Sequence, residues 1–219
     1  MNVKGFWRVN AGTLAVLILV NLMLTATSDA VWIAVGVLAL LAGMVLNFNQ
    51  GMRIGQAACG VSSTVASVKN AGEQVYRQLD DRYLRQAWSP TTGLRGLFAS
   101  ALPPYAVGCA YIVLFLLQGQ ALAPTTPLTV ARVAAWVLSL PFWPLILYWH
   151  EDFVALTPAI AAMLMLSPFV LPACTFAGYM QGPKLWARTE AAMMAGRRRA
   201  KARARVGRKL APKPKKPEI

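Results

Sequence analysis

Hydrophobic positions fall in five long blocks, residues 11–27, 31–49, 96–118, 129–149 and 153–180, separated by polar stretches. A bilayer core of about 30 Å needs roughly 20 apolar residues in helical form. Only helices close their own backbone hydrogen bonds along such a run, so the pattern predicts membrane helices, not strands. The first two blocks are joined by Ser28-Asp29-Ala30 alone, which predicts a tight helical hairpin. Lys4, Arg8 and the small residues Thr25-Ala26-Thr27 resemble parts of a cleavable signal peptide. The apolar run is long, however, and a second follows at once, so the reading is a retained helix.

Between the second and third blocks the pattern changes. Ile54, Ala58, Val61, Val65, Val68, Gly72, Val75 and Leu79 alternate in steps of four and three, with polar residues on the other faces. That spacing predicts an amphipathic helix continuing from the second span. Ser89-Pro90 is expected to end it, because the residue before proline avoids the helical region. Arg77, Asp80, Asp81 and Arg85 sit at spacings that allow surface ion pairs. Ile54, Val61, Val65, Val68, Val75 and Leu79 form the expected helix-packing stripe. Gly51, Gly55 and Gly60 lie nearby, and small residues let helices approach closely. The stripe packs either on its own chain and the headgroup surface or on a partner outside the bilayer.

Composition sharpens this picture. Of 219 residues 57% are hydrophobic and only 14% charged, yet the formal charge is +14. Soluble domains carry about 25% charged residues, and disorder throughout would need low hydrophobicity. Three cysteines in this length do not make a disulfide framework. The charge is concentrated: residues 183–219 hold 13 basic side chains against two acids, a net +11. Within that tail, residues 184–206 are rich in helix formers, whereas Lys213-Pro214-Lys215-Lys216-Pro217, after Gly207, is expected to be disordered. Arg197, Arg198, Arg199, Lys201, Arg203, Arg205, Arg208 and Lys209 form the expected partner or lipid surface. Anionic headgroups attract such a segment by about 1 kcal/mol per basic residue, and an acidic protein surface is the rival. Nucleic acid is disfavoured, because no stacking aromatics follow Trp186 and no nucleic-acid fold is present.

Topology presents a conflict. The basic tail, Lys4 with Arg8, and the six basic residues within 50–95 all favour a cytoplasmic placement. Two cytoplasmic ends require an even number of crossings, and five blocks are present. One block is therefore expected to enter and return on the same side, the third block or the pair after it. Pro103-Pro104 interrupts the third, and the acidic His150-Glu151-Asp152 suits the outer face. The rival is five full crossings with the N-terminus outside.

Candidate chemistry is sparse. Cys59, Cys109 and Cys174 lack metal-ligand spacing, one histidine cannot build a multi-histidine site, and no phosphate-binding or nucleophile-elbow motif occurs. His150 beside Glu151 and Asp152 can shuttle a proton or hold a cation. The plainer reading is a charged turn in which Asp152 caps the last helix. Arg132 can snorkel to the headgroups, and no acid lies within any block. Pro141, Pro144, Pro158, Pro168 and Pro172 can kink the last two helices.

The expected protein is all-α and polytopic, with four or five membrane helices, a cytoplasmic amphipathic helix and a disordered basic C-terminal tail. Its regions are a transmembrane hairpin (1–50), the amphipathic helix (51–90), Pro-kinked membrane helices (91–182) and the polybasic tail (183–219). Catalytic, cofactor and metal residues are none. The expected role is a non-enzymatic structural or assembly subunit of a bacterial inner-membrane complex, such as a secretion or conjugation machine. Its expected partners are anionic lipid, other membrane subunits or further copies of itself. The alternative is a small channel or transporter using the Pro-kinked last two helices.

Overall fold

The computed structural model describes residues 2–27, 29–72, 84, 86–118, 126–147 and 156–210. The chain is all-helical: α1 (Asn2–Leu24), α2 (Asp29–Ala71), α3 (Pro90–Gln118), α4 (Thr126–Ser139), a 3-10 turn (Leu140–Phe142), α5 (Trp143–Leu147) and α6 (Pro158–Leu210). Five segments are long and apolar enough to cross a membrane: Val3–Leu24, Asp29–Asn70, Pro90–Gln118, Thr126–Leu145 and Pro158–Lys201. Their outward faces carry Leu19, Leu22, Leu38, Leu41, Leu116 and Val130, all exposed, as a lipid-facing surface requires.

Local chemistry sets the helix starts. Ser89 Oγ accepts the Thr92 amide (3.1 Å) with Pro90 in the first helical position. Thr157 Oγ1 accepts the Ile160 amide (3.3 Å) ahead of Pro158. Both are hydroxyl caps followed by a proline whose missing N–H costs nothing there. Ser89-Pro90 therefore opens α3, where the sequence suggested the close of the preceding helix. The cap of the last helix is Thr157, not Asp152. His150, Glu151 and Asp152 lie outside the described residues.

The single helix expected to reach Ser89-Pro90 ends at Ala71, and Gly72 follows at φ +144°. That backbone conformation is one that side-chain-bearing residues rarely adopt, which is why glycine stands at the helix terminus. Val75, Leu79, Arg77, Asp80, Asp81 and Arg85 lie outside the described residues.

Three layers of packing fix the helices relative to one another. At one end Phe6, Ala58 and Tyr179 cluster with Ile54, Trp88 and Phe176, and the Phe6 ring sits against Gly96. Midway, Leu17, Leu40, Phe142 and Leu171 meet. At the other end of α3 and α6, Tyr111, Leu128, Ala135, Ile160 and Leu164 meet, while Asn21 and Trp32 join α1 to α2.

These partners show that the fourth hydrophobic segment doubles back. α4 starts near Tyr111 and Ile160, at the far end from Phe6. It reaches the middle layer at Phe142. Pro144 then packs on Gly36 and beside Asn21, and Trp143 stacks on Trp32 (6.5 Å) while meeting Trp136 edge-on (5.1 Å). Gly36, Asn21 and Trp32 all belong to the far end of α1 and α2. The α4–α5 segment thus turns back toward the end at which α4 starts, and its turn packs on α1, α2 and α6. The third block, by contrast, is one continuous helix across Pro103 and Pro104. Of the two sequence alternatives for the odd segment, the later one matches this geometry.

Candidate functional site

No titratable constellation organises the interior among the described residues; a neutral polar network does. Asn10 sits at its centre on α1 and is 5% exposed. Its Nδ2 donates to Phe6 O (3.0 Å) and to Ser100 Oγ on α3 (3.1 Å). Its Oδ1 accepts from Asn47 Nδ2 on α2 (2.9 Å) and faces Thr175 Oγ1 on α6 (2.8 Å). Asn47 Oδ1 accepts from Thr13 Oγ1 (2.6 Å), and its Nδ2 also reaches Leu171 O (3.4 Å). Ser100 Oγ lies within 2.8 Å of Gly96 O, to which it donates. Four helices are therefore joined by uncharged groups whose capacity is largely met inside the protein. Such a network fixes the register of the four helices.

A second polar pair lies at the opposite end of α1. Asn21, fully buried, donates to Leu17 O (2.9 Å) and accepts from Trp32 Nε1 (3.1 Å). The sequence reasoning missed Asn10, Asn21 and Asn47. For Asn21 and Asn47 the signal was present, because an amide inside an apolar block is expensive unless bonded, whereas Asn10 lies just ahead of the first block.

The α2–α6 seam is built on glycine. Gly51 and Gly55 face Gly178 and Gly182, two pairs each spaced by four residues. A Cβ at Gly51 would strike Thr175 O, one at Gly55 would strike Tyr179 O, and one at Gly178 would strike Phe48 O. Backbones this close gain dispersion contacts that larger residues would forbid. Gly60 extends the seam, because a Cβ there would lie 3.2 Å from the Trp186 ring. Beyond it, Gln56 Nε2 donates to Thr189 Oγ1 (3.0 Å). Of the expected stripe, Ile54, Val61, Val65 and Val68 are half-buried, while Gly51, Gly55, Ala58 and Cys59 are buried.

Alongside α1 and opposite this seam lies a cavity of about 270 Å³. Its walls come from α1 (Trp7, Ala11, Leu14), α3 (Pro103, Pro104, Val107), α4 (Leu138, Ser139) and α6 (Ser167, Pro168).

The described basic residues other than Arg132 occupy one end of the molecule. Lys4, Arg8, Arg53, Arg95, Lys184 and Arg188 are exposed at or beyond the Phe6–Tyr179 layer. Arg197, Arg198, Arg199 and Lys201 are exposed further along α6, and Arg203, Arg205, Arg208 and Lys209 continue the same helix. The helix runs past Gly207 to Leu210; residues 211–219, including the Lys-Pro stretch, lie outside the described residues. Arg132, in α4, places its guanidinium 4.7 Å from the Trp136 ring centroid, a cation–π contact.

No family model matches the chain, and no curated protein or solved structure matches it either.

Proposed function

We propose that this chain is a non-enzymatic structural or assembly subunit of a bacterial inner-membrane complex. One observation carries the reading. α2 and α6 leave the bundle together at its basic end, sealed by glycine, and α6 presents Arg197, Arg198, Arg199 and Lys201 to solvent. With 53 residues, α6 is about 80 Å long at 1.5 Å per residue, whereas a bilayer core spans about 30 Å. The excess is a cationic helical extension suited to an acidic partner subunit or anionic headgroups. In this reading the N-terminus, the end of α2, the start of α3 and the tail are cytoplasmic. α1, α2, α3 and α6 cross, and α4–α5 re-enters from the outer side. Four crossings with both ends on one side are consistent with the distribution of basic residues.

The test is purification of the tagged chain in mild detergent, with partners identified by mass spectrometry. Replacing Arg197, Arg198, Arg199 and Lys201 together by Glu should release the specific partner or lipid at physiological salt, whereas lysine in the three arginine positions should retain it. Each basic residue near an anionic surface contributes about 1 kcal/mol, so four reversals should weaken association by at least a hundredfold. Recovery of a lone monomer whose lipid retention ignores the reversal would defeat the reading.

The Pro-walled cavity favours a second reading, a small channel or transporter. It predicts solute flux in proteoliposomes that disappears when the cavity is filled.

A further inference from the structure

The cavity beside α1 has the dimensions and chemistry of a site for one lipid tail. On α1 it extends from Trp7 to Leu14, about 10 Å of helix. That approaches the half-thickness of a hydrocarbon core about 30 Å thick. Trp7 is 53% exposed and Pro103 is also exposed, so the rim opens outward from the bundle between α1 and α3. The inner wall is the polar network, which turns its groups toward one another. Asn10 and Ser100 are bonded together (3.1 Å), and Ser139 Oγ is engaged by Trp136 O and by Trp143 Nε1, both at 3.1 Å. Leu14, Pro104, Val107, Leu138, Leu164 and Pro168 supply the rest of the surface. Ser167 also lines the cavity, and its hydroxyl has no hydrogen-bond partner among the described residues. Apart from that hydroxyl a polar solute would find little to bond there, whereas an alkyl chain needs no partner.

Charge indicates which lipid. Lys4, Trp7, Ala11 and Leu14 follow at i, i+3, i+7 and i+10 and so share one face of α1. Lys4 is exposed one turn beyond the rim, and Arg8 is exposed beside it. A tail entering at Trp7 would leave its headgroup at these two cations, whose long stems reach the interface. We infer that the cavity between α1, α3, α4 and α6 holds one acyl chain of an anionic phospholipid from the leaflet at the basic end, with Lys4 and Arg8 binding its phosphate headgroup. This site is separate from the lipid or partner surface on α6, and it does not depend on the assembly role.

The test uses the full chain in vesicles of phosphatidylcholine containing either phosphatidylglycerol or additional phosphatidylcholine as the photoactivatable species, with a diazirine midway along one chain. Crosslinks are mapped by mass spectrometry. The expected result is several-fold enrichment at Trp7, Pro103 and Leu138 over the exposed positions Leu19 and Leu41, with phosphatidylglycerol exceeding phosphatidylcholine. Ala11→Phe, which fills the cavity, should remove the enrichment. Lys4→Glu, at an exposed position, should remove the headgroup preference and leave the fold intact. Val107→Phe serves as a second filling variant should the first not fold. Labelling that is even across these positions, or indifferent to both filling variants and to Lys4→Glu, would overturn the assignment. Equal labelling by the two headgroups would overturn it as well.

Discussion

Gly55 on α2 faces the carbonyl oxygen of Tyr179 on α6, the oxygen that Pro183 leaves without its usual i+4 amide. The same arrangement recurs at Gly108 on α3, where a Cβ would lie 3.1 Å from Leu164 O, the oxygen released by Pro168. A proline inside a helix removes one backbone donor and exposes a carbonyl. In a membrane that carbonyl needs cover, and a glycine on the neighbouring helix brings its backbone close enough to provide it. The prolines of α6 are therefore integrated into helix packing as well as being points of bending.

Replacing Gly55 or Gly178 by Leu should drive α2 and α6 apart. Overpacking a tight contact costs about 1–3 kcal/mol, and here the obstructing atoms are backbone. Both variants should lose the monodisperse species on heating in detergent well before the parent does. Gly12, where an added Cβ would meet nothing within 4 Å, is the control. Gly12→Ala should be neutral or raise stability by up to about 1 kcal/mol, since alanine favours helix. An unchanged melting midpoint for both seam variants would contradict the close approach.

Removing one amide from the polar network should cost about 1–2 kcal/mol, because partners stay buried with a bond missing. Asn10→Ala and Asn47→Ala share a hydrogen bond, so a double-mutant cycle should show coupling of about 0.6–1.7 kcal/mol, the range found for interhelical bonds in membranes. Asn21→Ala acts through Trp32, outside that network, and its cost should add to that of Asn47→Ala. Reversible unfolding in mixed micelles measures all three, and strict additivity between Asn10 and Asn47 would count against the network.

The proposed re-entry of α4–α5 makes its own prediction. In a background lacking Cys59, Cys109 and Cys174, single cysteines at Thr126 and Thr157 should react with an impermeant reagent from the outer side. Cysteines at Lys4 and Gly72 should react only from the cytoplasmic side, and one at Leu140 from neither. Reaction of position 140 from the cytoplasm would show α4 crossing fully.

Some of this was legible along the chain because it depends on local chemistry. Hydrophobic block length requires helices, and all five blocks carry a helix long and apolar enough to cross a membrane. Gly51 and Gly55 were visible as small residues at the membrane exit. Their partners Gly178 and Gly182 carried the same four-residue spacing, yet nothing local links positions more than 120 residues apart. Asn10, Asn47, Ser100 and Thr175 each looked like an isolated polar interruption, and only helix register brings them within hydrogen-bond distance.

The sequence by itself determined an all-helical, multi-pass membrane chain whose charge is gathered at one end, because solvent preference is a property of each segment alone. Tertiary structure decided which segment turns back. Residues 129–149 are as apolar as a crossing helix, and apolarity sets depth without setting direction. Direction comes from partners: Leu128 against Ile160, Phe142 against Leu171, and Pro144 against Gly36. Those contacts join residues far apart along the chain, so no local pattern records them.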